Sequence, residues 1–197
     1  RVCSNGSVSS NICIGNIASG VVSQALLSFN ISQIPADAVI KRVSIDLRSC
    51  NPVGDPFLTL DCLRAYPAFY SSLSADSYFS GMPSGDLLKI CSMTDLRNAQ
   101  KNYPEMANAI QNSLGSPRFQ VRMQFDDLES VYEGMLNFGQ QGKGWSTEKT
   151  EAVGEASGEW TPCLPKDTAS TGSSGKSKSE KTNICFDTIK MTVTYLP

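Results

Sequence analysis

Histidine is absent from this 197-residue chain, and that absence removes several kinds of chemistry at once. Ser-His-Asp and Cys-His nucleophile systems need an imidazole to carry the proton, and most catalytic zinc and non-haem iron sites use one as a ligand. No two of the seven cysteines stand close enough in sequence for a zinc knuckle or a dithiol redox motif. Long apolar runs are missing too. Val21-Val22 and Ala25-Leu26-Leu27 are broken within a few positions, far short of the ~18 residues that a membrane-spanning helix needs. Lysine and arginine are scattered and the formal net charge is −2, so the basic stripe with which proteins hold nucleic acid is lacking. The glycines of 139–144 have no helix signal after them and no Lys-Ser/Thr end, which excludes a phosphate loop. No internal repeat is present. The expectation is a chain with no catalytic centre, no cofactor, no nucleic-acid partner and no membrane span. Only a paired-carboxylate glycosidase stays open, because such carboxylates meet in space rather than in sequence.

What is present fits an oxidising compartment. Cysteines at 3, 13, 50, 62, 91, 163 and 185 are best explained by disulfides. Cys50 and Cys62 bracket a Pro/Gly turn, and Cys163 and Cys185 bracket a Gly/Ser-rich segment, so those are the expected pairs. The odd cysteine is either a buried free thiol or an intermolecular bridge. Sequons at Asn5-Gly6-Ser7 and Asn30-Ile31-Ser32 agree with an extracellular or cell-surface chain. The start at Arg1 is the expected mark of a removed signal or of a trimmed chain.

Hydrophobic periodicity sets the fold class. Residues 24–31 alternate, with Ala25, Leu27, Phe29 and Ile31 inward and Asn30 outward. Val39, Val43, Ile45 and Leu47 line a second strand after the Ile34-Pro35-Ala36-Asp37-Ala38 turn. A loop with two prolines, 51–56, precedes an expected strand in which Leu58, Leu60 and Cys62 share a face. Thr94 or Asp95 can cap a short helix, and Pro104 opens a second whose stripe is Met106, Ala109, Ile110 and Leu114, ended by Gly115. Residues 118–125 alternate without error: Phe119, Val121, Met123 and Phe125 inward, Arg118, Gln120, Arg122 and Gln124 outward. The final strand carries Ile189, Met191, Val193 and Tyr195 on one side. Many short strands, few helices and Pro/Gly connections predict one mainly β domain over 1–197, an antiparallel β-sandwich of jelly-roll type with one or two short crossover helices. A loop-rich excursion covers about 134–183.

The opening Ile12-Cys13-Ile14-Gly15, with Gln24-Ala25-Leu26-Leu27-Ser28-Phe29-Asn30-Ile31-Ser32-Gln33-Ile34-Pro35-Ala36-Asp37-Ala38-Val39-Ile40 after it, resembles the DNRLRE-type jelly-roll modules. Leu63-Arg64-Ala65-Tyr66, residues 72–79, Ala107-Asn108-Ala109-Ile110-Gln111 and the closing Met191-Thr192-Val193-Thr194-Tyr195 are similar to that family's later elements. Ser28 and Asn30 stand where the family usually has Arg and Asp. The resemblance implies a jelly-roll fold like that of carbohydrate-binding modules, in secreted or surface proteins of prokaryotes. The stretch before Ile12 is short for the family, which implies a first strand that is incomplete or supplied from elsewhere.

Three groups of side chains are candidates for a site. Asp126, Asp127, Glu129 and Glu133 follow the strongest strand and either offer oxygens to a hard cation such as Ca²⁺ or form a solvated turn. Tyr66, Phe69, Tyr70, Tyr78 and Phe79 either stack on sugar rings or plug one end of the core, and Trp145 and Trp160 are the other platform candidates. Two functions fit. One is a non-catalytic extracellular structural subunit that self-associates, or packs on other surface proteins, in a layer, fibre or filament. The other is a carbohydrate-binding or adhesion module whose partner is a polysaccharide.

Overall fold

The structure, a computed structural model, describes residues 1–3, 5–18, 21–78, 85–99, 101–127 and 181–197. Antiparallel strands dominate. Ten are described: β1 (Val2–Cys3), β2 (Ile12–Ala18), β3 (Val21–Asn30), β4 (Val39–Asp46), β5 (Cys50–Val53), β6 (Leu63–Pro67), β7 (Leu88–Ile90), β8 (Arg118–Phe125), β9 (Thr182–Phe186) and β10 (Lys190–Leu196). Three short helices lie between them: α1 (Pro56–Thr59), α2 (Met93–Arg97) and α3 (Pro104–Asn112).

One sheet runs β5-β9-β2-β3-β8-β6-β7, with β1 also on β3, and a second holds only β4 and β10. The two are joined by one bent ribbon. β5 pairs with β9 in the first sheet and β4 with β10 in the second, so both chains of the ribbon turn the same corner. Ser49 fixes that corner: its hydroxyl donates to the Thr188 carbonyl at 2.5 Å, and its own carbonyl accepts from Asp187 N–H at 3.1 Å. Beside the two-stranded sheet, α3 completes the second layer. Met106 and Ile110, four residues apart on its inner face, are fully buried, and Gly115 closes the turn at φ +88°.

The core between the layers gathers Ala25, Leu27, Val43, Ile45, Leu63, Val121, Met123, Phe125 and Ile184. Ala25, Leu27, Val43, Ile45, Val121, Met123 and Phe125 are inward positions that period-two alternation marks; Leu63 and Ile184 join them on strands the alternation did not place. β1 is supplied by this chain's own Val2 and Cys3, paired with Gln24 and Ser23.

Local chemistry overrides the expected pattern at several places. Residues 56–59 form a helix, not a strand, because Asp55 caps it through a bond from Leu58 N–H and Pro56 sits in its first turn. Leu58 is consequently 83% exposed, and the strand starts only at Leu63. Ser92, two residues before the expected Thr94 and three before Asp95, caps α2. Most of the expected excursion at about 134–183 lies outside the described residues, and β9 begins at Thr182.

The expected disulfides are also overturned. Cys62 pairs with Cys91, and Cys185 pairs with Cys13. Cys50 is a free thiol, and Cys163 lies outside the described residues. The cause is register. Cys13 and Cys185 are direct cross-strand partners on β2 and β9, and Cys62 and Cys91 flank the Leu63–Ile90 pair of β6 and β7. Cys50 faces Phe186 and packs against the core.

Candidate functional site

The central strands β3, β8 and β6 bury both faces. Their outer face carries Leu26, Gln120, Arg122, Gln124 and Tyr66, of which all but Gln120 are buried. Arg122 and Gln124 were expected to point outward to water, but both are buried, and the segment after β6 turns back over Arg122. Gln120 pins that segment: its side-chain oxygen accepts from Tyr70 N–H at 3.2 Å, its amide donates to the Tyr70 carbonyl at 2.8 Å, and its backbone carbonyl accepts from Ala68 N–H at 3.0 Å.

Folding the segment down leaves a recess of about 400 Å³ lined by Leu26, Pro67, Phe69, Tyr70, Asp76 and Arg122, with Ser74 and Ser77 at its rim. Phe69 is 92% exposed beside it. Tyr70 is held in place through Ser28, and burial pushes its hydroxyl up to about 12. The Arg122 guanidinium lies 5.7 Å from the centre of the Tyr66 ring. Desolvation lowers its pKa, against the opposing pull of the Tyr66 and Tyr78 hydroxyls. This arrangement combines an exposed ring, an acid and buried aromatic support, a set suited to stacking on and hydrogen bonding to a polar ring.

The expected platform is therefore divided. Phe69 and Tyr70 border the recess, whereas Tyr66 is 1% exposed and supports Arg122 from beneath instead of offering a face to a ligand. Tyr78 is half-buried. Phe79, Trp145 and Trp160 lie outside the described residues.

Asp126 is engaged by Arg64, whose Nε donates to it at 2.6 Å and whose other arm bonds Asp86. The two carboxylates, Asp126 first, raise the Arg64 pKa. Asp61, Cys62 and Asp126 cluster closely, but the Cys62 sulfur is committed to its disulfide and cannot act as a thiolate ligand. Asp127 lies beside this cluster in a shallow pocket with Leu58 and Thr59. Glu129 and Glu133 lie outside the described residues.

Asn5 and Asn30 are exposed, and in each the side-chain oxygen accepts from the hydroxyl of the sequon serine, Ser7 or Ser32, at 2.7 Å. Those bonds leave the amide nitrogen, the atom to which a glycan is joined, outside the contact.

Sequence reasoning did not find the edges. Among the described residues, the outer edge of β10 has no strand beside it. The matching edge of β4 is closed by α3. Gln111 accepts from Ile40 N–H at 2.8 Å and donates to the Ala38 carbonyl at 3.0 Å, Asn102 accepts from Val43 N–H at 3.2 Å, and Tyr103 N–H donates to the Val43 carbonyl at 3.0 Å. At one end of β10, Tyr195 and Leu196 lie partly exposed beside Val39.

No family profile, curated protein or solved structure matches this chain. No described helix is long and apolar enough to cross a membrane.

Proposed function

We propose that this chain is a non-catalytic structural subunit of an extracellular assembly, one that self-associates in a surface layer or filament. The observation that carries this reading is the open edge of β10, a seven-residue strand whose backbone groups on that side have no strand partner among the described residues. Edges of this kind template pairing with another chain unless the sequence blocks them. Disulfides between Cys13 and Cys185 and between Cys62 and Cys91 suit an oxidising compartment and stiffen a unit that has to bear load. Sedimentation and electron microscopy of the native material test the reading: oligomers or ordered arrays are expected, and monomers at every concentration would remove it.

A second reading, a saccharide-binding module, is favoured by the recess beside Phe69. An exposed ring next to Asp76 and Tyr70 suits the apolar face and hydroxyls of a pyranose. Retention on immobilised polysaccharides that drops on Phe69→Ala, with unfolding unchanged, supports it; equal retention of both proteins on every glycan rejects it.

A further inference from the structure

We infer that a second copy of this chain docks antiparallel along the outer edge of β10, about a two-fold axis at Val193. The inference rests on the self-association proposed above and names the surface and the partner. The other strand edges are poor partners for one another. β5 has four residues and includes Pro52, which has no N–H to donate. β7 has three residues and is followed at once by the disulfide-bonded Cys91. The free side of β4 is occupied by Gln111, Asn102 and Tyr103. Among the described residues, β10 alone of these is long, without proline, and open.

Edge lengths decide the symmetry. A head-to-tail chain of subunits joined by strand pairing needs two long free edges, one for each neighbour, and the described residues offer one. A single edge pairing with itself closes as a two-fold dimer. Full overlap of residues 190–196 places the axis at Val193, so Thr192 meets Thr194 of the second copy, Met191 meets its Tyr195 and Lys190 meets its Leu196. Charge favours this register. Lys190 is the only charged residue of β10, and it faces an apolar residue rather than a second lysine, with its aliphatic stem free to cover Leu196. Pairs keep their faces: half-buried Met191 and Val193 lie on the core side, and the exposed Thr192 and Thr194 lie outside. The product is a four-stranded sheet, β4-β10-β10-β4, and any larger array is built from this dimer through other surfaces.

The test uses charge at the two threonines. Thr192→Lys/Thr194→Lys sets lysines against lysines across the axis, and Thr192→Glu/Thr194→Glu does the same with carboxylates. Both positions are exposed, so circular dichroism should match wild type. Sedimentation equilibrium should show a wild-type dimer, each variant alone weakened about tenfold or more, and a one-to-one heterodimer when the two are mixed. Variants that associate as tightly as wild type, or a mixture that does not recover, would overturn the β10 pairing while leaving self-association through another surface standing. A wild type monomeric at every concentration removes both.

Discussion

Cys13 and Cys185 are direct cross-strand partners on β2 and β9, and their disulfide spans 172 residues of sequence. A bridge that closes so long a loop restricts the unfolded chain strongly, so Cys13→Ser/Cys185→Ser should lower the unfolding free energy by about 2–5 kcal/mol. Cys50→Ser removes only a half-buried thiol and should cost about 1 kcal/mol or less. Urea unfolding measures both. Alkylation gives a second readout: Cys50 should react in the unreduced, unfolded chain, whereas Cys13, Cys62, Cys91 and Cys185 react only after reduction.

Gly15 occupies the left-handed region at φ +117° in the middle of β2, where an added Cβ would sit 2.6 Å from the Thr182 carbonyl oxygen and 2.9 Å from a Leu60 methyl. Gly115 also has positive φ, +88°, but nothing lies within 4 Å of its added Cβ. Gly115→Ala should therefore cost only the backbone strain, about 1–2 kcal/mol. Gly15→Ala adds a clash with backbone that β9 cannot relieve without leaving β2, and its loss should be the larger by about 1–3 kcal/mol. Equal melting points for the two variants would refute this account.

Period-two alternation made the inward sets of residues 118–125 and 24–31 legible, and they fall where the pattern places them. It was silent about cover. Nothing in the alternation of Phe119, Val121, Met123 and Phe125 tells that Arg122 and Gln124 are buried, Arg122 beside the returning 67–78 segment, because a polar residue on the outer face looks the same whether water or another loop meets it. Cysteine spacing misled for a related reason. Two cysteines that flank a turn or a Gly/Ser-rich stretch stand near in sequence, but bridges follow strand register, and Cys185 meets Cys13 only because β2 and β9 pair. The Asp55-Pro56 cap also outweighed the alternation of Leu58, Leu60 and Cys62, as local hydrogen bonding does when only one turn of chain is at stake. The recess and the open β10 edge were beyond reach, since both depend on which strands become neighbours.

Tyr103 holds its hydroxyl in the core with no hydrogen-bond partner among the described residues, and burial, reinforced by the charge of Asp95, pushes its pKa up to about 12. The unfolded chain loses that proton near pH ~10. Between these values the unfolded state is deprotonated and the folded state is not, so the stability present below pH ~10 is lost progressively as pH rises toward 12. Tyr70 adds to the same alkaline loss. Tyr103→Phe should shallow the decline of melting temperature above pH ~10 and cost little at neutral pH, because it removes an unsatisfied buried hydroxyl. Ultraviolet absorbance of ionising tyrosine gives the titration directly.

Gln111 ties α3 to the free side of β4 with both ends of one amide: its oxygen accepts from Ile40 N–H and its nitrogen donates to the Ala38 carbonyl. Gln111→Ala loses both bonds and should cost about 1–2 kcal/mol, with the helix still anchored by the fully buried Met106 and Ile110. Gln111→Glu is the more telling change. Its carboxylate can still accept from Ile40, but at neutral pH it sets an anion against the Ala38 carbonyl, so it should be no more stable than the alanine variant. Protonation restores a donor. Below the ordinary glutamate range, near pH ~4, the glutamate variant should therefore recover relative to Gln111→Ala when the two are compared at the same pH. A gap between them that ignores pH would show that the Ala38 bond holds nothing.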